Sequence, residues 1–362
     1  MGTGGLEYYS SLIREIDGEC SLLCIEEDSI VAGSRTGELA CWNITTGSEA
    51  WRVMFGGPCS NADVNCGKLY ISEADNLHCI DFSDGAVLWS ATLEGSSDLV
   101  RCTDNGVWVT SSIYNLEIQD YYDSSVWLFD GKGEMSGRWP IEGRAWSLEL
   151  GQSGAIIGLS RPMCGYAHVS ITDGVEYYSL EVPSPVTVGV KSNEGDFLLG
   201  HSNGWISFIS GDVSSSHQTG GTSITALDVN DGWVAGTDSG LVSKKGGLNS
   251  WEVEFDGIVD LVRFGPSPND GFCVWISAWS GVSKLALLDC ESGLVELEMF
   301  HQSRIGASCS TPNVVALGDF EGNVFLLEEK VVSRRSKRTD EDLERGKKSL
   351  LLRSKIRRLR KE

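Results

Sequence analysis

Three groups of side chains have types and spacings that could support catalysis or metal binding. "GHSNG", from Gly200 to Gly204, matches the G-x-S-x-G pattern, in which a nucleophilic serine occupies a sharp turn between a strand and a helix. The five histidines, together with Cys20 and Cys24, are residues of the kind that bind zinc. "GTGG", at residues 2–5, has the glycine content of a phosphate-binding loop. Each of these chemistries requires a particular surrounding structure.

The residues that follow Ser202 do not supply the structure that a nucleophile needs. "WISFIS" (205–210) favours a strand rather than a helix, and the same kind of turn returns as "GTDSG" (236–240) and "GDFEG" (318–322). A turn that recurs at equivalent positions is a structural feature of a repeat. The sequence therefore predicts that Ser202 is not catalytic.

Metal and phosphate sites are not supported either. The histidines are far apart in the chain: His78, His168, His201, His217 and His301. Cys20 and Cys24 have no second Cys or His pair at zinc spacing, and His78 with Cys79 is expected to be a packed pair inside a strand. "GTGG" precedes no helix and lacks the Lys-Ser/Thr of a phosphate loop. We predict no catalytic residue, no metal and no cofactor.

The elements that would position these residues come from an internal repeat. "NITTGSEAW" (43–51) returns 38 residues later as "DFSDGAVLW" (81–89). Alignment on the preceding turns yields eight units of about 36–48 residues, each with four short apolar or β-branched stretches, which is the pattern of propeller blades. In the repeated phrase, Asn or Asp is expected to start the turn between the third and fourth strands. Gly supplies a positive φ there, and Trp packs between blades.

The chain is expected to close the ring with its own beginning. The last unit has only three strands, ending at "NVFLLEEKVV" (323–332), while "YYSSLIREIDG" (8–18) matches the fourth strand and turn of other units. We predict an all-β, eight-bladed propeller over residues 1–329, with seven blades as the alternative, whose N-terminal strand completes the last blade. A basic, partly helical tail follows over residues 330–362.

The residues from Gly33 to Trp51 read "G-S-x-x-G-x-L-x-x-W-N-x-x-T-G-x-x-x-W", which resembles the quinoprotein-like (PQQ-type) propeller repeat. The resemblance covers about residues 8–329 and weakens after the second unit, since Leu297 stands where Trp51 stands in the first. WD40 repeats are less similar, because the chain has no Trp-Asp dipeptide. Dehydrogenases of the quinoprotein family bind their quinone beneath a vicinal disulfide, with a calcium ion. This sequence has no adjacent cysteines, so the resemblance implies a non-catalytic member, with a quinone-dependent oxidoreductase as the alternative.

Charge divides the chain sharply. Residues 330–362 hold 14 of the 29 Lys and Arg but only 5 of the 51 acidic residues, a net charge of +9, which leaves −31 for residues 1–329. An acidic body favours basic protein partners. The N-terminus has no signal-peptide pattern and no window approaches 18 apolar residues, so we expect no export signal and no transmembrane segment. The 11 cysteines are then expected to be reduced core residues of a cytoplasmic protein. The protein would be nuclear instead if it is eukaryotic and "RRSKR" acts as a nuclear localisation signal.

Two segments are predicted to contact a partner. The third unit contains "SSIYNLEIQDYYDSSVW" (111–127), which is longer than its counterparts and combines tyrosines with acids, a composition that suits a basic protein surface. A plain long hairpin with solvated ends is the alternative, and "SRPMCGY" (160–166) is a second irregular loop. The candidate contact residues in the third unit are Tyr114, Glu117, Asp120, Tyr121, Tyr122 and Asp123.

The second segment is the tail. Asp340 to Glu344 would favour a helix start, and Leu352, Ile356 and Leu359 form a narrow apolar stripe on a cationic helix. Nucleic acid, a protein groove including the chain's own propeller, a membrane surface or solvent alone are the possible surroundings. The candidate cations are Arg334, Arg335, Lys337, Arg338, Arg353, Lys355, Arg357, Arg358, Arg360 and Lys361. We predict a monomeric, non-catalytic interaction scaffold, with a nucleic-acid-associated propeller as the alternative.

Overall fold

A computed structural model describes residues 4–161, 164–211, 213–269 and 271–337. Within them the chain forms eight antiparallel blades arranged in a ring, as predicted. The first strand of each blade contacts the first strand of the next, and that of blade 8 contacts that of blade 1, which closes the ring. The alternative of seven blades is wrong.

The N-terminal elements are β1 (Gly4–Gly5), α1 (Leu6–Tyr9) and β2 (Leu12–Glu15). Blade 1 is β3 (Cys20–Glu26), β4 (Ser29–Ser34), β5 (Glu38–Asn43) and β6 (Glu49–Met54). Blade 2 is β7 (Cys59–Asn65), β8 (Lys68–Glu73), β9 (Asn76–Asp81) and β10 (Val87–Thr92). Blade 3 is β11 (Ser96–Thr103), β12 (Gly106–Asn115), β13 (Asp120–Phe129) and β14 (Met135–Ile141). Blade 4 is β15 (Ala145–Leu150), β16 (Ala155–Leu159), β17 (Gly165–Ser170) and β18 (Gly174–Ser179).

The second half of the ring repeats this order. Blade 5 is β19 (Val186–Lys191), β20 (Phe197–His201), β21 (Trp205–Ser210) and β22 (Val213–Gln218). Blade 6 is β23 (Ile224–Asn230), β24 (Gly232–Thr237), β25 (Leu241–Lys245) and β26 (Trp251–Glu254). Blade 7 is β27 (Ile258–Pro266), β28 (Phe272–Trp279), β29 (Ser283–Asp289) and β30 (Val295–His301). Blade 8 is β31 (Ile305–Thr311), β32 (Val314–Asp319), β33 (Asn323–Glu328) and the N-terminal β2, and α2 (Glu329–Ser336) follows.

The buried apolar residues form eight clusters, one between each pair of neighbouring blades. A hydroxyl staple reinforces several of these interfaces near the ring axis. The Ser21 hydroxyl donates to the carbonyl of Gly33 in its own blade and to that of Cys59 in the next, at 3.2 and 2.5 Å. Ser60, Thr187 and Thr225 make the same bridge in their blades. Each blade is therefore held by apolar packing outside and by shared backbone acceptors inside.

The repeated phrase has the predicted structure. Asn43 and Asp81 accept hydrogen bonds from backbone N–H groups of their own turns at 2.8 and 2.9 Å. Gly85 has a φ of 77°, which a side chain would resist, and a Cβ atom there would lie 2.7 Å from the Trp51 indole of the previous blade. The Trp51 Nε1–H donates to the Phe82 carbonyl at 2.9 Å. The phrase is thus an architectural device that joins one blade to the next.

The ring closes where it was predicted to close, because β2 pairs antiparallel with β33, with Leu12 opposite Leu326. Two details differ from the prediction. Tyr8 and Tyr9 belong to α1 rather than to the closing strand, and the third strand ends at Glu328, so that Val332 lies in α2. Val332 is buried against the cluster that also holds Leu6 and Tyr9, and this contact favours a helix over continued strand. In addition, β1 pairs parallel with β30, which gives blade 7 a fifth strand.

Candidate interaction face

One end of the ring carries the loops between second and third strands and the connections from blade to blade. We call this end the upper face, and the opposite end the lower face. Strands β12 and β13 of blade 3 are ten residues long, whereas the second strands of the other blades have five to eight. The predicted long hairpin is therefore present, and its tip extends from the upper face.

The hairpin tip exposes apolar side chains to solvent. Leu116 is 82% exposed, Ile118 60% and Tyr114 47%. The acidic side chains of Glu117 and Asp123 are exposed beside them. Scattered exposed apolar residues are ordinary, but three within five residues on a projecting tip form a surface suited to a protein partner.

The base of the hairpin is braced by an arginine that the sequence analysis did not single out. Arg144, in the connection from blade 3 to blade 4, donates from Nη1 to the Tyr121 hydroxyl at 2.8 Å and from Nη2 to Asp98 Oδ1 at 2.7 Å. Its guanidinium lies 4.7 Å from the Tyr121 ring centre and 5.1 Å from that of Trp146, which is 42% exposed. Burial raises the pKa of Asp98, against the hydrogen bonds from Ser112 and Arg144. The cation thus sits between two aromatic rings.

A second ion pair joins the two irregular loops that the sequence had marked separately. Arg161, in the loop that follows β16, contacts Asp120 of the hairpin at 3.0 Å. The rings of Tyr114 and Tyr121 meet edge to face at 5.1 Å. The structure therefore brings Tyr114, Asp120 and Tyr121 together, but it uses Asp120 and Tyr121 to support the hairpin. Of the Tyr122 side chain nothing is described.

The sequence did contain a signal for the missed residues. Trp146 lies at the irregularity in its first strand where Ser21, Ser60, Thr187 and Thr225 provide the hydroxyl staple in other blades. A large aromatic residue at a position that holds a small hydroxyl in four other blades cannot make that bridge. Its side chain is instead partly exposed on the upper face, beside Arg144.

The described part of the tail is attached to the propeller. Arg335 donates to the carbonyls of Tyr8 and Ser10, the latter at 2.9 Å, and stacks on the Tyr8 ring at 5.7 Å. Arg334 and Lys337 are exposed. The remaining tail positions lie outside the described residues: Arg338, Asp340 to Glu344, Leu352, Arg353, Lys355, Ile356, Arg357, Arg358, Leu359, Arg360 and Lys361.

The central channel is polar, and two of its arginines are paired with carboxylates. A cavity of about 540 Å³ is lined by first strands and includes Arg101 and Arg263. Arg101 lies 3.2 Å from Glu149 of the next blade, and Arg263 lies 3.5 Å from Asp228 of the previous one. Burial raises the pKa of Glu149 and of Asp228, against the attraction of these arginines. The pairs link neighbouring blades around the axis.

The other candidate sites have structural roles. Ser202 lies in a turn between strands β20 and β21, and its hydroxyl is 3.0 Å from that of Ser184. His78 and Cys79 are not a packed pair, because successive strand residues face opposite sides, and His78 bonds to Glu73 and Ser90 instead. In the described part of the chain, no group of three or more His, Cys, Asp or Glu residues is placed to hold a metal ion. Nor do the described helices include one that is long and apolar enough to cross a membrane.

Comparisons with known proteins agree with this architecture. The profile of the family described as "Outer membrane protein assembly factor BamB" matches residues 15–155. The crystal structure of the computationally designed protein Ika8 is similar with a TM-score of 0.73 and 17% identity, covering 88% of this chain and 99% of that one. Sqt1 from Saccharomyces cerevisiae is similar with a TM-score of 0.71 and 10% identity, covering 88% and 98% of the two chains. No curated protein sequence matches. At these identities the structural likeness shows the propeller fold alone.

Proposed function

We propose that this protein is a non-catalytic scaffold that binds a basic protein partner on its upper face, at the junction of blades 3 and 4. The observation that carries the proposal is the braced hairpin, whose tip exposes Leu116, Ile118 and Tyr114. Apolar side chains on a rigid support lose little conformational entropy when they are buried by a partner. The matched profile names an assembly factor, which is in keeping with a binding role.

The charge of the body supports the choice of a basic partner. With −31 over residues 1–329, the propeller attracts positively charged proteins over long range, and exposed Glu117 and Asp123 continue that field to the hairpin tip. Apolar contacts at the tip would then supply short-range affinity. Residues at such an anchor cost about 1 kcal/mol or more each when they are truncated.

Quantitative affinity capture from the source cell tests this proposal. We compare the full chain with the double variant Leu116→Asn and Ile118→Asn, which removes the apolar tip without adding charge. The matched control is Leu294→Asn, which is 70% exposed in a lower-face turn of blade 7. We expect a basic protein that the wild type and the control retain equally and the double variant retains at least tenfold less. Equal retention by all three chains would contradict the proposal.

A further inference from the structure

Three interfaces between blades are filled in the same way by a tryptophan of the fourth strand. Each indole lies on the glycine of the turn between third and fourth strands in the next blade. The pairs are Trp51 with Gly85, Trp89 with Gly133, and Trp251 with Gly293. A Cβ atom on any of these glycines would come within 2.6–2.7 Å of the ring. The interface therefore contains a slot shaped for a flat, indole-sized group.

Between blades 5 and 6 this slot has no tryptophan. In blade 1, β5 places Leu39 opposite Gly33, and Cys41, two residues later, pairs with Trp51. In blade 5, β21 places Ile206 opposite Gly200, and Phe208, two residues later, pairs with Ser215. Ser215 thus holds the register position of Trp51. A hydroxymethyl group stands where these three interfaces carry an indole.

A groove that is open to solvent remains at that position, with Ser215 and Lys245 exposed on its wall. Its volume is about 440 Å³, within the range of small-molecule sites, which is roughly 300–1,000 Å³. Phe208 and Trp233 line it, with ring centres 6.3 Å apart, and Trp233 is only 4% exposed. Ser215 lines the same groove. The His217 ring also lines it and lies against Trp233, with ring centres 5.5 Å apart. These rings, with a serine at the register position of a tryptophan, suit the site to a planar ring.

Lys245 contributes a cation to the lining. Lys245 occupies the place of Ile80 in blade 2, since it pairs with Trp233 as Ile80 pairs with Leu69. Its ammonium group donates to His217 Nδ1 at 2.9 Å. Burial and the nearby Lys245 lower the pKa of His217, so the imidazole is neutral and can accept this bond. The neighbouring carboxylate, Glu252, accepts a hydrogen bond from the Ser243 hydroxyl.

We propose that the slot between blades 5 and 6 binds a small planar aromatic carboxylate of about the size of an indole acid. The ring enters the position that Trp51, Trp89 and Trp251 fill elsewhere, against Phe208 and Trp233. The carboxylate accepts a hydrogen bond from Lys245. The site is distant in sequence from the hairpin of blade 3 and does not depend on the protein-binding role proposed above.

The first experiment titrates the full chain with indole-3-propionate and with neutral indole, followed by ¹H–¹⁵N NMR. We expect chemical-shift changes in residues 205–217 and 232–246 for both compounds, with about tenfold weaker binding of neutral indole, because it lacks the charged acceptor. Lys245→Met should reduce the affinity for indole-3-propionate by about tenfold and leave the affinity for indole unchanged. Absence of shifts in these segments at millimolar indole-3-propionate would overturn the proposal.

The second experiment fills the slot from within. Ser215→Trp reproduces the pattern of the three tryptophan-filled interfaces, so we expect a folded protein with an unchanged or higher melting temperature and at least a tenfold loss of affinity for both compounds. The matched control is Ser214→Trp, one residue earlier, where the side chain faces the other side of the strand. Equal binding by the wild type and Ser215→Trp would show that the ligand occupies another place.

Discussion

His301 connects the beginning of the chain to its last two blades. Its Nδ1 lies 3.1 Å from Glu7 and its Nε2 lies 2.7 Å from Asp319, whose side chain is fully buried. Burial lowers the pKa of His301, but hydrogen bonds to Asp319 and Glu7 outweigh it and raise the pKa to about 9. The imidazolium is therefore present at neutral pH, bonded to two carboxylates.

This pair of contacts predicts a loss of stability on the alkaline side. A histidine whose pKa is higher in the folded protein than its unfolded value of about 6.5 stabilises the folded state. Its contribution to the free energy of unfolding is complete below a pH of about 6.5 and is lost as pH rises through about 9. We expect the melting temperature to fall between pH 7 and 9.5, by about 2–4 °C for each kcal/mol lost. The measurement is thermal unfolding against pH.

His301→Gln separates this effect from other alkaline titrations. The amide keeps a hydrogen-bonding group of similar size but does not titrate, so the variant should be less stable at pH 7 and should show a flatter profile up to pH 9.5. Parallel profiles for the two proteins would mean that His301 is not responsible for the change of melting temperature with pH.

The roles of individual residues were predictable where they depend only on neighbours in the chain. Asn43, Asp81 and Gly85 could be placed from the sequence, because turn formation depends on a few adjacent residues. The bracing of the hairpin by Arg144 and Arg161 could not, because those contacts join residues 23 and 41 positions apart in the chain. The hairpin residues predicted to contact a partner were identified by composition, and composition does not distinguish Tyr121, which is engaged internally, from exposed Leu116.

At the level of elements, α1 and α2 pack together at the interface between blades 7 and 8. The two helices contact each other, and Val332 of α2 is 1% exposed in the cluster with Leu6, Tyr9 and Phe325. The sequence suggested a strand through Val332, since β-branched residues favour strands. Burial against α1 overrides that local preference.

Removing this anchor should release the N-terminal segment. We expect Val332→Asp to accelerate amide hydrogen exchange in residues 6–16 by at least tenfold, because a buried carboxylate without a partner would detach α2. Arg334→Ala, in the same helix but exposed, is the matched control and should leave exchange unchanged. Slow exchange in residues 6–16 of the Val332→Asp protein would show that β2 pairing alone holds the segment.

At the level of the whole molecule, the body and the tail carry opposite charge. The repeat made the number and order of the blades predictable, because each unit has the same sequence pattern of strands and turns. The fifth strand of blade 7 was not predictable, since Gly4 and Gly5 have no side chains that favour a strand and pair with Met299 and Phe300, almost three hundred residues later in the chain. The charge of the tail, rather than any motif, makes it a candidate contact segment.

Deletion of residues 338–362 tests what the tail contributes. The remaining chain is strongly acidic, so we expect it to show no measurable affinity for single-stranded RNA or duplex DNA at 50 mM salt. Any affinity of the full chain should then lie in the tail and should fall steeply with salt, with a log–log slope of about −0.9 for each phosphate contacted on duplex DNA. Undiminished binding after the deletion would place the nucleic-acid contact on the propeller.

The pairing of β2 with β33 also has a consequence for synthesis. Leu12 leaves the ribosome more than three hundred residues before Leu326, its partner across the closing sheet. At a synthesis rate of about 5–20 residues per second, β2 remains without its partner strand for a time on the order of tens of seconds. Through that interval β2 has no strand to pair with, and a holdase or a second nascent copy can bind its open edge.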